Sequence, residues 1–248
     1  MNNVLTITIP YYEAPEMLGV QIAQWLKYPE WGWEYLKLIV VDDGSPNHPA
    51  EKVFKTNSHL PFPVEVYRIQ EDIPWNHGGA RNLAFDRMKD GWAVLTDIDH
   101  VLPRESVCSM LTGIFSTSIA YQPARYKMTG TWDWEEIHRH SDSFILTREK
   151  FWEVGGFDEE FSGYWNGVSG PFRKALRRKA EVRELDCVWF ILHDIDTVKD
   201  ANVQSLGRKG SKYDIRRHSN SSLWNKYSKA LKNYAPENPL QFKWEQVI

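Results

Sequence analysis

Three apolar runs in the first half of the chain each break off into acidic residues, and this alternation constrains the fold more than any other feature. Val4 to Ile9 passes through Pro10 into Tyr11-Tyr12-Glu13, Leu36 to Val41 into Asp42-Asp43-Gly44-Ser45-Pro46-Asn47, and Trp92 to Thr96 into Asp97-Ile98-Asp99. Between them lie segments of helical spacing. Pro15 to Lys27 carries Met17, Leu18, Ile22, Trp25 and Leu26, and Ala80 to Met88 follows the capping cluster Asn76-His77-Gly78-Gly79. A further strand is expected at Val64 to Ile69. Strands and helices alternating at this pace predict an α/β fold with a mostly parallel sheet and right-handed crossovers. Ligands of such sheets bind beyond the carboxyl ends of the strands, so all three acidic clusters fall on the binding edge.

The second half reads less regularly. Pro103 introduces a helix over Arg104 to Phe115, Ile119 to Pro123 and Ser143 to Thr147 read as strands, and Trp132 and Trp134 sit in the connection between them. A short helix, Glu149 to Val154, stops at Gly155-Gly156; a basic helix over Phe172 to Arg178 and an apolar strand over Cys187 to Leu192 lead to His193. These 248 residues can bury one large core, so residues 1–193 are expected to form the principal domain, in halves of about 1–100 and 101–193. Residues 194–248 are expected to form an extension packing on it as a lid.

A net charge of −3 leaves no basic field, so general nucleic-acid binding is not suggested. Cys108 and Cys187 lack metal-site spacing and read as reduced thiols. No run approaches a membrane span, and the first strand begins without a leader pattern, so a cytosolic protein is expected. Oligomeric state is not legible. The 12 Trp are unusual, and flat indoles suit both a core and the apolar faces of sugars.

Asp97 and Asp99 lie one residue apart at a strand end, where alternate side chains project to the same side. Two convergent carboxylates repel unless a cation sits between them, and a hard divalent ion completed by phosphate oxygens satisfies both. A solvated acidic turn is the plain alternative.

Taken in order, Ile9-Pro10-Tyr11-Tyr12-Glu13, Val40-Val41-Asp42-Asp43-Gly44-Ser45, Gly79-Ala80-Arg81-Asn82, Thr96-Asp97-Ile98-Asp99 and Val154-Gly155-Gly156-Phe157-Asp158-Glu159 resemble nucleotide-sugar glycosyltransferases of the GT-A fold, closest to family 2. The resemblance implies a nucleotide site built from Pro10, Tyr11, Glu13, Asp42, Asp43, Arg81, Asp97 and Ile98. Tyr11 would stack on or flank the base, while carboxylates accept from uracil N3 or the ribose hydroxyls. It implies Mn²⁺ or Mg²⁺ held by Asp97 and Asp99, with His193 as a further ligand. The donor would be a nucleoside diphosphate sugar, UDP preferred over GDP, and the acceptor a carbohydrate hydroxyl. Trp132 and Trp165 are candidates to pack on the acceptor, and Arg208, Lys209 and Lys212 to close over the diphosphate.

One departure stands out. Family 2 members usually carry a Trp-Gly-Gly-Glu-Asp-like segment whose acid deprotonates the acceptor in an inverting displacement; here the stretch is Trp165-Asn166-Gly167-Val168-Ser169. A hydroxyl cannot replace a carboxylate as base at neutral pH. Asp158, Glu159 or Glu160 then becomes the candidate base, or the chain is a sugar-nucleotide or glycan-binding module that has lost turnover. A third reading takes Ala93 to Leu102 as the first motif of haloacid-dehalogenase-like phosphatases, with Asp97 as nucleophile, Asp99 as acid/base, and Lys150 or Lys174 with Asp196 to Asp200 completing a Mg²⁺ site.

Overall fold

Alternate residues of the first strands divide between two helical layers. In the computed structural model, which describes residues 4–56, 60–128, 133–165, 168–201, 213–214, 222–236 and 239–248, strand β1 (Leu5–Tyr11) turns Leu5, Ile7 and Ile9 into one core. β2 (Leu36–Asp42) splits its residues the same way: Leu38 and Val40 share that core, while Ile39 and Val41 enter a second one on the opposite face. The first core is closed by α1 (Pro15–Trp25), α2 (Ala50–Thr56) and α4 (Arg104–Thr112) through Met17, Leu18, Ala50, Val107 and Met110. The second is closed by α3 (His77–Arg87), α5 (Arg148–Val154) and α6 (Ser169–Lys179) through Leu83, Phe85, Phe151 and Phe172.

β2 pairs parallel with β1, and β3 (Val64–Ile69) pairs parallel with β2. The chain then returns across the sheet and lays β4 (Trp92–Leu95) parallel on the other side of β1, with Leu5 opposite both Leu36 and Trp92. Strand order reverses at β1, which opens a crevice at the carboxyl ends of β1 and β4. The Tyr11–Glu13 and Asp97–Asp99 segments leave the sheet at that crevice.

Past β4 the sheet is mixed. β8 (Phe144–Thr147) pairs antiparallel with β4, and β6 (Ile119–Met128) antiparallel with β8. β10 (Glu181–Leu192) pairs parallel with β6, and β5 (His100–Val101) closes the edge antiparallel to β10. β7 (Trp134–Glu136) folds back onto β6, so the Trp-rich connection holds a hairpin, and antiparallel strands need no crossover helix. β6 and β10 outrun the segments read from sequence because polar residues such as Arg125, Lys127, Arg183 and Glu184 occupy their extensions.

Helix α3 begins at His77 rather than Ala80 and includes both glycines. A Cβ on Gly78 would sit 2.3 Å from Val168 Cγ1, so the glycine lets the start of α3 approach the start of α6. In the extension, α7 (Ser222–Ala230) packs Tyr227 against Phe161, and the short strand β12 (Trp244–Gln246) adds antiparallel to β3 at the far edge. β11 (Tyr213–Asp214) pairs with β9 (Tyr164–Trp165). Among the described residues no helix is long and apolar enough to cross a membrane.

Ala14, at the head of α1, provides no side-chain cap. Asp200, folded in from beyond β10, does the work: its carboxylate accepts from Glu16 N at 2.7 Å and Met17 N at 2.8 Å. Asp200→Ala is expected to cost about 1–2 kcal/mol, as loss of a cap does, read as a lower urea midpoint at unchanged slope.

Candidate active site

The loops after β1 and β2 are stitched to each other. Glu13, at a positive φ of 48°, donates its backbone N–H to Ser45 Oγ at 2.9 Å, and its carboxylate accepts from Asn47 N at 2.8 Å and His48 N at 3.0 Å. Asp42 is fully buried and accepts from Ser45 N and Ala50 N, both at 2.8 Å. Burial pushes its carboxyl up to about 6 against the opposing pull of those N–H groups. Tyr11 is buried with its hydroxyl donating to the His48 carbonyl. The ring assigned to a base platform is therefore a core residue, and Asp42 is a turn-former with no surface to offer a ligand. Asp43 Oδ2 accepts from Asn76 N at 3.2 Å and ties this loop to the head of α3. Pro10 and Glu13 are half-buried at the crevice, and Ile98 is buried beneath it.

β4 delivers Asp97 against Arg81, which α3 carries in almost completely buried. Arg81 Nη2 donates to Asp97 Oδ1, and the guanidinium lies 5.3 Å from the centre of the Phe157 ring. Its Nε and Nη1 are buried without a hydrogen-bond acceptor among the described residues. Burial works to raise the Asp97 carboxyl, but Arg81, His140, His100 and His77 together outweigh it and hold the group well below the ordinary carboxylate range.

Histidines complete the cluster. His140 Nε2 is 3.6 Å from Asp97 Oδ2, His100 Nδ1 is 2.6 Å from Asp99 Oδ1, and the two rings lie 4.6 Å apart. His193 donates its backbone N–H to the Asp99 carbonyl at 2.8 Å. Burial lowers the His193 imidazole while Asp99 opposes the shift. His100 Nε2 and His193 Nδ1 are buried with no hydrogen-bond partner among the described residues. Ligand atoms of Asp97, His100 and His140 all fall within 4.8 Å of one another. Carboxylate and imidazole donors with unsatisfied ring nitrogens fit a divalent ion such as Mn²⁺. Of the ligands expected from sequence, this cluster contains Asp97, joined by His100 and His140; Asp99 meets it through His100 Nδ1, and His193 is tied to Asp99 through its backbone N–H. His100 could have been found, as the next residue after the Asp pair. His140 carries no local signal: Ser143 Oγ, 2.8 Å from its Nδ1, and Gln122, donating to its carbonyl, bring it in.

The family profile described as "Glycosyl transferase family 2" matches residues 6–184. The chain belongs to glycosyl transferase family 2. No curated protein matches it in sequence. Among solved structures, GalNAc-T7 with UDP, GalNAc and Mn²⁺ superposes with a TM-score of 0.62 at 15% identity, covering 93% of this chain and 48% of that one. TarS residues 1–349 of S. aureus gives 0.61 at 13% identity over 91% of this chain and 74% of that one. The mannosyltransferase PcManGT of Pyrobaculum calidifontis, in complex with GDP-Man and Mn²⁺, gives 0.59 at 13% over 93% and 72%. The chain thus spans about half of the GalNAc-T7 chain. Family and fold together place it among the GT-A glycosyltransferases.

Within this family 2 domain, the acids after Phe157 have other partners. Glu159 accepts from Asn82 Nδ2 at 2.8 Å, Leu240 N at 2.9 Å and Gln241 N at 3.2 Å, which anchors the tail to α3. Glu160 pairs with Lys226 of α7 at 3.0 Å, and Asp158 accepts from Glu160 N at 3.1 Å. Burial raises the Asp158 carboxyl. Of the three acids expected to include the base, Glu159 and Glu160 hold the tail and Asp158 caps the turn after Phe157. Ser169 stands at the head of α6, with its Oγ 3.5 Å from His77 Nε2. Trp132, Arg208, Lys209 and Lys212 lie outside the described residues, as does the side chain of Trp165.

Two members of the phosphatase constellation are engaged elsewhere. Lys150 pairs with Glu153 on α5 at 2.5 Å, and Asp200 caps α1.

Burial, with His100 adding and Asp97 opposing, pushes the His140 imidazole down from 6.5 to about 4. Between those values the unfolded chain binds more protons than the folded one, so stability is lost as pH falls from 6.5 towards 4. His140→Gln is expected to flatten that slope, removing at most about 3 kcal/mol of it. Urea midpoints across the window, taken with a chelator present, read the difference.

Proposed function

We propose that this chain transfers a sugar from a nucleoside diphosphate sugar, UDP-linked in preference to GDP-linked, to a carbohydrate hydroxyl with the help of Mn²⁺ or Mg²⁺. The observation carrying the reading is the Arg81–Asp97 pair clustered with His100 and His140, with Asp99 on His100, at the crevice where strand order reverses. Family membership and neighbours solved with UDP, UDP-GlcNAc, GDP-Man and Mn²⁺ support it.

Asp97 orients Arg81, and the guanidinium's two unpaired nitrogens supply buried positive charge for the diphosphate oxygens. Asp97 and Asp99, with His193, His100 and His140 as the nitrogen donors around them, would hold the ion. When bound, it neutralises charge on the leaving diphosphate as a Lewis acid. Asp43 and Glu13 stand at the end of the crevice assigned to the nucleoside. Arg208, Lys209 and Lys212 are proposed to close over the diphosphate as a lid. Residues 194–248 would then form one extension of a single catalytic domain, working in the cytosol.

A second reading, a binding module without turnover, rests on Val168 and Ser169 standing where the family carries acids. Calorimetry followed by a donor-hydrolysis screen over UDP- and GDP-sugars separates the two: the transferase turns over a donor, the module only binds. Asp99→Ala is expected to weaken Mn²⁺-dependent UDP binding by roughly 100-fold or more, since even outer-shell partners of metal ligands are worth up to that factor. An Asp99→Ala protein with unaltered Mn²⁺ dependence would overturn the site.

A further inference from the structure

We propose that His77 is the general base that takes the proton of the acceptor hydroxyl, in place of the carboxylate this chain lacks at Ser169. The assignment rests on the transferase reading above. It begins from the placement of the ring. His77 opens α3, and its Nε2 faces Ser169 Oγ at 3.5 Å across 92 residues of sequence. Ser169 falls in the stretch that matches the family's acid-bearing segment. Gly78 makes the approach possible, because any side chain there would strike Val168. The Trp75 and His77 rings meet edge to face with centroids 5.5 Å apart, and the His77 Nδ1 is shielded from solvent.

The location is also right for the reaction. His77 contributes to the electrostatic hold on Asp97, so it lies within the field of the same crevice. Glu159 and Glu160 hold the tail, Asp158 caps the turn after Phe157, and His100 and His140 cluster on Asp97, so none of these groups is directed at Ser169 as the His77 ring is. Imidazole is the side chain whose ordinary range lets it accept a proton near neutrality, which a serine hydroxyl cannot. A separation of 3.5 Å is loose for a hydrogen bond, and general-base contacts commonly tighten only when substrate is bound.

The step balances. The acceptor O–H proton passes to His77 Nε2 while the acceptor oxygen forms a bond to sugar C1. The bond from C1 to the diphosphate oxygen breaks, and its electron pair leaves with the nucleoside diphosphate. The imidazolium then returns its proton to water. With water as acceptor the same step is donor hydrolysis.

The test uses the whole chain with Mn²⁺, UDP as the binding probe, and the best UDP- or GDP-sugar from the hydrolysis screen as substrate. His77→Ala is expected to bind UDP as the unaltered protein does while kcat falls roughly 100- to 1,000-fold. His77→Ala combined with Ser169→Asp is expected to recover at least about tenfold of that loss, with the acidic limb of the rate profile moved from the histidine to the carboxylate range, below about pH 5. Three results overturn the assignment: His77→Ala retaining its kcat, His77→Ala losing UDP binding in step with rate, or no recovery in the double variant. An unaltered protein that binds UDP but hydrolyses no donor overturns it as well. Failure of that protein to bind any nucleotide is a different result, and it removes the transferase reading on which the assignment rests.

Discussion

The site depends on one buried guanidinium. Arg81 is almost fully buried, and an unpaired charge at that depth would cost several kcal/mol. Asp97 neutralises it from the end of β4, and the Phe157 ring faces it from the segment before α6. Three separate stretches are thereby fixed to one another. Because two of its nitrogens remain without acceptors among the described residues, the pair is a poor device for stability alone and a good one for meeting an anion.

What could be read beforehand follows from this geometry. The alternation of strands and helices and the acidic edge were legible because period-two burial and chain order are local properties: Leu5, Ile7 and Ile9 announce β1 without help from the rest of the chain. The Asp97–Asp99 pair was legible for the same reason. Which acids face the crevice was not. Asp42 and Tyr11 belong to matching motifs, yet the turn that the motif encodes needs the Asp42 carboxylate for Ser45 N and Ala50 N. His140 and His77 meet their partners across the fold, His140 through Gln122 and the His100 ring and His77 through Ser169, and no motif near either residue encodes those contacts. β12 escaped because three residues are too few to show a period.

The tail accounts for the other departure. Glu159 is bonded at once to Asn82 of α3 and to the backbone of Leu240 and Gln241, and Glu160 to Lys226 of α7. Tyr234 donates to the Gly156 carbonyl at 2.7 Å, and β12 adds to the sheet beyond. The Gly-Gly-Phe-Asp-Glu turn is thus the fastening point of the extension, and its two glutamates cannot also move freely toward an acceptor.

That division of labour bears on where a proton acceptor can stand. A base must reach the crevice from an element that is itself rigid, since a misplacement of about 1 Å costs orders of magnitude in rate. Of the elements bordering Asp97, α3 is the most firmly held: Arg81 binds it to β4, Asn82 to Phe157 and Glu159, and Asn76 to Asp43. A group at its first residue inherits that fixed position. An acid at position 169 would instead need its own support, and the Glu159 carboxylate is spent on the tail. Under the transferase reading, placing the base at His77 lets one helix orient both ends of the displacement, the phosphate side through Arg81 and the acceptor side through its opening turn.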